Sequence, residues 1–205
     1  MIRTKFCGVT TPEDAVAAVE AGADMIGLNF SAQSVRRVTL DQARSIIGAV
    51  PGFHNFTGVF VEQTSDEVDA IRRELGLAHC QTYSTPWSAG SIAAFRVRSA
   101  DEIAEIHALL AAWPKPMAVL VDSYVAGAMG GTGHKAPWDL LAGQDFGVPL
   151  ILAGGLTPDN VGDAIRLVKP WGVDVASGIE SSPGRKDAGK MRSFVATVRD
   201  AERAL

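Results

Sequence analysis

Two side chains that could carry out acid–base chemistry stand where apolar runs of the sequence end. Cys7 ends the run in "TKFC", and Asp122 ends the run in "AVLVD". A thiol and a carboxyl group that face each other across a substrate can serve as a base and an acid. Taken singly, Cys7 could be a small buried hydrophobe and Asp122 a turn or cap residue. The prediction of an acid–base pair therefore depends on a fold that brings the two together.

Two glycine-rich stretches follow the last two apolar runs of the chain. They read "AGG" and "ASGIESSPG". Residues with small side chains let backbone N–H groups approach an anion closely, and a short helix after such a turn adds a favourable potential. Either stretch alone could simply permit a tight turn. Together they predict a phosphate site formed by Gly154, Gly155, Ser177 and Gly178.

The elements that would position these residues alternate regularly along the chain. Short runs rich in Val, Ile, Leu, Phe and Ala suit parallel strands buried on both faces, and a helical pattern or helical turn follows each run. The first helix is predicted to start after Thr11 as N-cap and to close at Gly22. Strands are predicted at 3–7, 24–29, 56–61, 78–82, 93–97, 117–122, 149–152 and 173–176.

Eight such units predict an α/β protein built as one (β/α)8 TIM barrel, a single domain over residues 1–205. The first unit lacks a G-x-G-x-x-G turn, which weighs against a dinucleotide-binding fold. In a barrel the carboxyl ends of the strands share one mouth, and the ends of strands seven and eight frequently bind phosphate. Cys7 and Asp122, at the ends of strands one and six, would point into that mouth from different sides.

The composition excludes several classes of protein. Hydrophobic residues make up 47% of the chain and charged residues 20%, which suits a packed core rather than disorder. A net charge of −4 offers no basic footprint for nucleic acid and no polybasic membrane patch. With two cysteines, Cys7 and Cys80, neither near a metal-ligand partner in sequence, we expect no disulfide framework, no metal site and a reducing, cytoplasmic location.

Several of these segments, in order and over nearly the full length, resemble the phosphoribosylanthranilate isomerase family of tryptophan biosynthesis. The opening "KFCGVT" is similar to the family's Lys-x-Cys-Gly-x-Thr strand, and "SVRRV" is similar to its Ser-Pro-Arg-x-Val loop. "LVDS" with "GGTG" resembles its sixth strand and the following loop. "LAGGLTPDNV" and "GVDVASGIESSPGRKD" resemble its last two phosphate-binding segments.

The resemblance implies an Amadori rearrangement of N-(5'-phosphoribosyl)anthranilate to 1-(2-carboxyphenylamino)-1-deoxyribulose 5-phosphate by general acid–base catalysis, without a cofactor or metal. By this resemblance Asp122 is the acid, Cys7 is the base, and Arg36 binds the anthranilate carboxylate. Such an enzyme needs a small phosphorylated substrate as its partner, and we expect a monomer without nucleic-acid or membrane partners. Further candidate substrate contacts are Gln81, Tyr83 and Gly131.

The chain also departs from the family pattern at four positions. Val35 replaces the proline of the arginine loop, Tyr83 stands at a histidine position, and Ala136 and Pro137 replace an aromatic residue and an Asp or Asn. We expect these changes to affect the anthranilate side of the pocket rather than the reaction type. Two alternatives remain open: a related histidine-pathway sugar isomerase, which would use aspartate where this chain has Cys7, and a barrel that binds a phosphorylated ligand without turnover.

Overall fold

The central sheet of the computed structural model closes into a barrel of eight parallel strands, which confirms the predicted (β/α)8 architecture. The structure describes residues 1–83, 87–88, 90–122 and 138–205. Each strand pairs with the next, and β1 pairs with β8 to close the ring. The strands are β1 Arg3–Cys7, β2 Met25–Asn29, β3 Phe56–Phe60, β4 His79–Thr82, β5 Ile92–Arg96, β6 Ala118–Asp122, β7 Leu150–Ala153 and β8 Gly172–Val175.

The predicted strands are all present, with small shifts at their ends. Strands β5 and β8 each lie one residue earlier than predicted, and β7 lies one residue later. The stagger of the neighbouring strands sets these limits, since Ile92 already pairs with Gln81 on one side and Ala118 on the other. A strand's own composition does not contain that information.

The helices begin and end at local signals in the sequence. Thr11 caps α1 by accepting a hydrogen bond from the Asp14 backbone N–H, Pro12 is the first helical residue, and Gly22 ends the helix in the left-handed conformation at φ 93°. Capping boxes start the second, third and fourth helices. The helices are α1 Pro12–Ala21, α2 Leu40–Gly48, α3 Ser65–Leu75, α4 Ala100–Ala112, α5 Trp138–Leu141, α6 Val161–Val168 and α7 Ala188–Arg203.

Two apolar clusters hold the barrel together. The larger one packs the outer faces of the strands against the helices, and the smaller one fills the barrel interior with residues such as Ile92, Leu120 and Ile151. After β8 the chain forms a 3₁₀ turn, Ser177–Ile179, and a small hairpin of β9, Glu180–Ser182, with β10, Arg185–Lys186. Within the described residues, no helix has the length and apolar character needed to cross a bilayer.

Candidate active site

A cavity of about 370 Å³ opens at the carboxyl ends of the strands, and both predicted acid–base residues line it. Cys7 reaches it from β1, and Asp122 reaches it from β6. The other lining residues come mainly from the strand ends and from the loop after β2, and they include Asn29, Gln81, Tyr83, Arg96 and Asp174. The fold therefore brings a thiol and a carboxyl group, 115 positions apart in the printed sequence, to one mouth.

The Cys7 thiol lies beside a buried ion pair that the sequence analysis missed. Lys5, two residues earlier on β1, points to the same face because strand side chains alternate. Its ammonium nitrogen lies 2.6 Å from Oδ1 of Asp174, its register partner on β8. The lysine side chain is only 1% exposed. An acidic residue inside the apolar run "GVDVA", together with the Lys-x-Cys spacing, was the signal that could have revealed the pair.

A glycine on the neighbouring strand makes room for this arrangement. Gly27 of β2 is the register partner of Cys7. A Cβ atom at Gly27 would lie 3.0 Å from the Cys7 sulfur and 3.2 Å from the Lys5 ammonium nitrogen. Both functional groups therefore pack against the bare backbone of β2, where a side chain would crowd them.

These neighbours act on the ionisation of the thiol in opposite directions. Burial raises the pKa of Cys7 above its ordinary value, and the Asp174 carboxylate adds to that effect. The charged Lys5 and Lys186 ammonium groups act to lower it. For Lys5, burial acts to lower the pKa, but the Asp174 carboxylate outweighs it and raises the pKa. The resting site thus favours a neutral thiol beside a charged lysine.

Two of the three predicted substrate contacts line the same cavity. The Gln81 side chain donates a hydrogen bond to the Tyr83 hydroxyl at 3.4 Å, and the Arg96 guanidinium lies 5.6 Å from the centre of the Tyr83 ring. Tyr83, which stands at the family's histidine position, is thus part of the cavity wall. Gly131 lies outside the described residues, as do the departures at Ala136 and Pro137.

Arg36 is held by a carboxylate from the hairpin after β8. Its Nε atom donates to Oε1 of Glu180 at 2.6 Å, and its Nη2 atom donates to Oε2 at 2.7 Å. This is the bidentate geometry that suits a guanidinium. Lys186, from the same hairpin, donates to Glu180 at 3.1 Å and has no exposed side-chain surface. Val35, the departure in the arginine loop, is 73% exposed and is not among the residues that line the cavity.

The two glycine-rich turns pack directly against each other. A Cβ atom at Gly178 would lie 1.9 Å from the Leu156 carbonyl oxygen and 3.1 Å from Cα of Thr157. Gly154 and Gly155 both have positive φ, 97° and 63°, which glycine adopts without strain. The 3₁₀ turn that begins at Ser177 therefore sits on the loop after β7, as a shared anion site would require. Gly178 also lines a second cavity, of about 530 Å³, between the starts of α6 and α7.

A sequence-family model supports the family resemblance that the sequence motifs indicated. Residues 4–197 match the model described as N-(5'phosphoribosyl)anthranilate (PRA) isomerase. A curated protein of Pseudomonas fluorescens strain Pf0-1, named N-(5'-phosphoribosyl)anthranilate isomerase, is 46% identical over 97% of this chain and 98% of its own length. A protein of the same name from Pseudomonas aeruginosa strain LESB58 is 43% identical over 98% of this chain and 97% of its own length.

Solved structures show the same likeness in three dimensions. The phosphoribosyl anthranilate isomerase of Thermotoga maritima superposes with a TM-score of 0.85 at 30% identity, covering 98% of this chain and 100% of that one. A structure of such an isomerase in complex with reduced 1-(o-carboxyphenylamino)-1-deoxyribulose 5-phosphate superposes with a TM-score of 0.79 at 28% identity, with the same coverage.

Proposed function

The chain belongs to the N-(5'-phosphoribosyl)anthranilate isomerase family, and from that premise we propose how its own residues carry out the isomerisation. The observation that carries the proposal is that Cys7 and Asp122 line one cavity. The reaction opens the ribose ring of N-(5'-phosphoribosyl)anthranilate and moves hydrogen from C2' to C1', an aldose–ketose conversion in tryptophan biosynthesis. It needs an acid at the ring oxygen and a base at the adjacent carbon.

In the first step Asp122 donates a proton to the ring oxygen. The nitrogen lone pair forms the C1'=N bond as the C1'–O bond breaks, which gives an open-chain Schiff base. The Cys7 thiolate then removes the C2' proton, and the C2'–H electrons form the C1'=C2' bond while the Schiff-base nitrogen is neutralised. The resulting enolamine converts to the aminoketose as C1' gains a proton and the C2' hydroxyl loses its proton to become the carbonyl.

The base must be ionised when the substrate is bound, although the surroundings of Cys7 favour the neutral thiol. Lys5 offsets part of that preference, since its positive charge favours the thiolate. Proton transfer is fastest when the base and acid are positioned before binding. The packing of Cys7 against Gly27 and beside Lys5 supplies that position for the base.

The ends of the substrate require two anion sites. We assign the phosphate to the backbone N–H groups of the turns at Gly154, Gly155, Ser177 and Gly178. We assign the anthranilate carboxylate to Arg36, whose side-chain stem crosses Gly8 directly after β1. Gln81 and Tyr83 are proposed to contact the substrate between the two. The described residues contain no group of three or more His, Cys, Asp or Glu that could hold a metal ion, and the proposed steps use none.

The fluorescence decay of freshly prepared phosphoribosylanthranilate tests the proposal. Cys7→Ser and Asp122→Asn should each remove most of the turnover while the affinity for inorganic phosphate stays near that of the parent protein. Cys80→Ser is the matched control. Cys80 lies between β4 and α3 and does not line the cavity that contains Cys7. Near-normal kcat in either site variant would show that the role assigned to that residue is wrong.

Oligomeric state and location are the remaining parts of the proposal. We propose a monomer that acts in the cytoplasm, where the two free cysteines would stay reduced. One related structure from Thermotoga maritima is described as monomers generated from a dimeric isomerase. Sedimentation equilibrium over a hundredfold range of concentration tests the monomer. A mass that rises to twice 21.6 kDa would contradict it.

A further inference from the structure

Within the part of the chain that the structure describes, the guanidinium of Arg36 uses only part of its donor set. A guanidinium presents a side edge, Nε with Nη2, and an end edge, Nη1 with Nη2. Glu180 occupies the side edge with bonds of 2.6 and 2.7 Å. We propose that Glu180 is a positioning residue that fixes Arg36 so that its end edge receives the substrate carboxylate. This inference rests on the proposed role of Arg36.

The stem of Arg36 is fixed as tightly as its head. It crosses the backbone of Gly8, directly after Cys7, and a Cβ atom at Gly8 would lie 2.4 Å from Cδ of the arginine. Gly8 also has a φ of 68°, a conformation that favours glycine. The guanidinium is therefore held from two sides, by the end of β1 under its stem and by Glu180 on its head.

The charges around Arg36 explain how one carboxylate can prepare a site for another. Glu180 alone would neutralise the arginine. Lys186, however, donates to the same carboxylate at 3.1 Å, so the cluster of Arg36, Glu180 and Lys186 carries one net positive charge. Burial acts to raise the pKa of Glu180, but hydrogen bonds from Arg36 and the charge of Lys186 outweigh it and hold the pKa below its usual range. Glu180 is thus ionised at neutral pH, and the cluster can still attract an anion.

Lys186 also ties the cluster to the proposed base. Its ammonium group donates to the backbone oxygens of Cys7 at 2.7 Å and Ala176 at 2.9 Å. One buried cation therefore joins the ends of β1 and β8 to Glu180. The carboxylate site and the thiol are fixed relative to each other, which is the preorganisation that a two-step proton transfer needs.

The test compares two stable ligands that differ in one carboxyl group. The first is the reduced product, 1-(2-carboxyphenylamino)-1-deoxyribitol 5-phosphate, and the second is its 1-phenylamino analogue. Calorimetry gives the ratio of their dissociation constants, defined as the constant of the second ligand divided by that of the first. In Glu180→Gln one charge-assisted bond to the arginine is lost and the guanidinium is free to turn, so the ratio should fall by roughly tenfold. The KM should rise similarly while kcat stays within about threefold.

Matched variants separate positioning from loss of structure. Glu20→Gln makes the same chemical change at an exposed site on α1 and should leave the ratio unchanged. Because Glu180→Gln leaves Lys186 buried beside a neutral group, Glu180→Gln/Lys186→Met removes that charge as well, and the ratio should stay low in it. Once Arg36 is replaced by alanine, adding Glu180→Gln should lower the ratio no further.

Each outcome bears on the inference. If Glu180→Gln binds both ligands with the parent ratio while Arg36→Ala does not, Arg36 binds the carboxylate without help from Glu180 and the inference is overturned. If Arg36→Ala also keeps the parent ratio, the proposed carboxylate site itself is wrong. A protein that neither turns over the substrate nor binds either ligand would instead refute the proposed function.

Discussion

Replacing Gly178 with alanine should weaken phosphate binding, because the new methyl group has no space. The Cβ atom would lie 1.9 Å from the Leu156 carbonyl oxygen and 2.9 Å from its carbonyl carbon, both backbone atoms that cannot rotate away. An ordinary contact needs about 3.4 Å. The 3₁₀ turn at Ser177 would therefore have to move by about 1.5 Å from the loop after β7, or that loop from the turn.

A displacement of that size separates the two halves of the proposed phosphate site. Hydrogen bonds to a charged group contribute about 1.5–3 kcal/mol each, and a donor moved by more than an ångström no longer makes one. Losing one such bond corresponds to a roughly tenfold to 150-fold weaker affinity. The overpacking itself should reduce the free energy of unfolding by about 1–3 kcal/mol, which leaves a folded protein whose binding can be measured.

The assay is titration calorimetry with ribose 5-phosphate, combined with urea unfolding of each variant. Gly48→Ala is the matched control, because a Cβ atom at the last residue of α2 meets nothing within 4 Å. It should keep the affinity and match or slightly exceed the parent stability, since alanine favours a helix over glycine. A folded Gly178→Ala protein with parent affinity for ribose 5-phosphate would refute the assignment of the phosphate to these turns.

Three further predictions concern the surroundings of the thiol. In the pH profile of kcat/KM, the alkaline limb reports the member of the acid–base pair that has the higher pKa. Burial raises the pKa of Cys7, so this limb should lie above the pKa of an ordinary thiol, about 8.5. A limb well below that value would contradict the assignment of Cys7 as the base. Lys5→Met leaves Asp174 buried without its partner at 2.6 Å and should cost about 3–5 kcal/mol in urea unfolding, whereas Lys5→Met/Asp174→Leu should recover most of it; equal losses would show that the unpaired charge is not the cause. Gly27→Ala places a methyl carbon 3.0 Å from the Cys7 sulfur and should reduce kcat more than it raises KM, which steady-state kinetics on the fluorescent substrate will measure.

The parts of the fold that depend on local signals could be predicted from the sequence. A Thr-Pro start and a glycine end delimit α1 because the cap bonds form within one helical turn. Strands buried on both faces give continuous apolar runs, so their number and parallel order were readable. Their exact limits were not, because the ends of β5 and β8 depend on the stagger of strands that are distant in the chain.

The same distinction applies to the site. Cys7 and Asp122 could be found because a barrel directs every strand end to one mouth. The ion pair of Lys5 with Asp174 joins residues 169 positions apart, and it exists only because β1 and β8 meet in one particular register when the ring closes. Glu180 stands in a glycine-rich segment of the sequence, and nothing in its neighbours indicates an arginine 144 positions away.

The two buried lysines explain why an anionic substrate and a thiolate can share this mouth. Lys5 is paired with Asp174 and Lys186 with Glu180, so each lysine is balanced by a carboxylate before any ligand arrives. Arg36 shares the Glu180 carboxylate with Lys186, so these three groups together carry one net positive charge. Because charge buried in this way is costly unless paired, removing the Asp174 carboxylate should change the ionisation of the thiol, whereas removing the Glu180 carboxylate should mainly weaken the binding of the substrate.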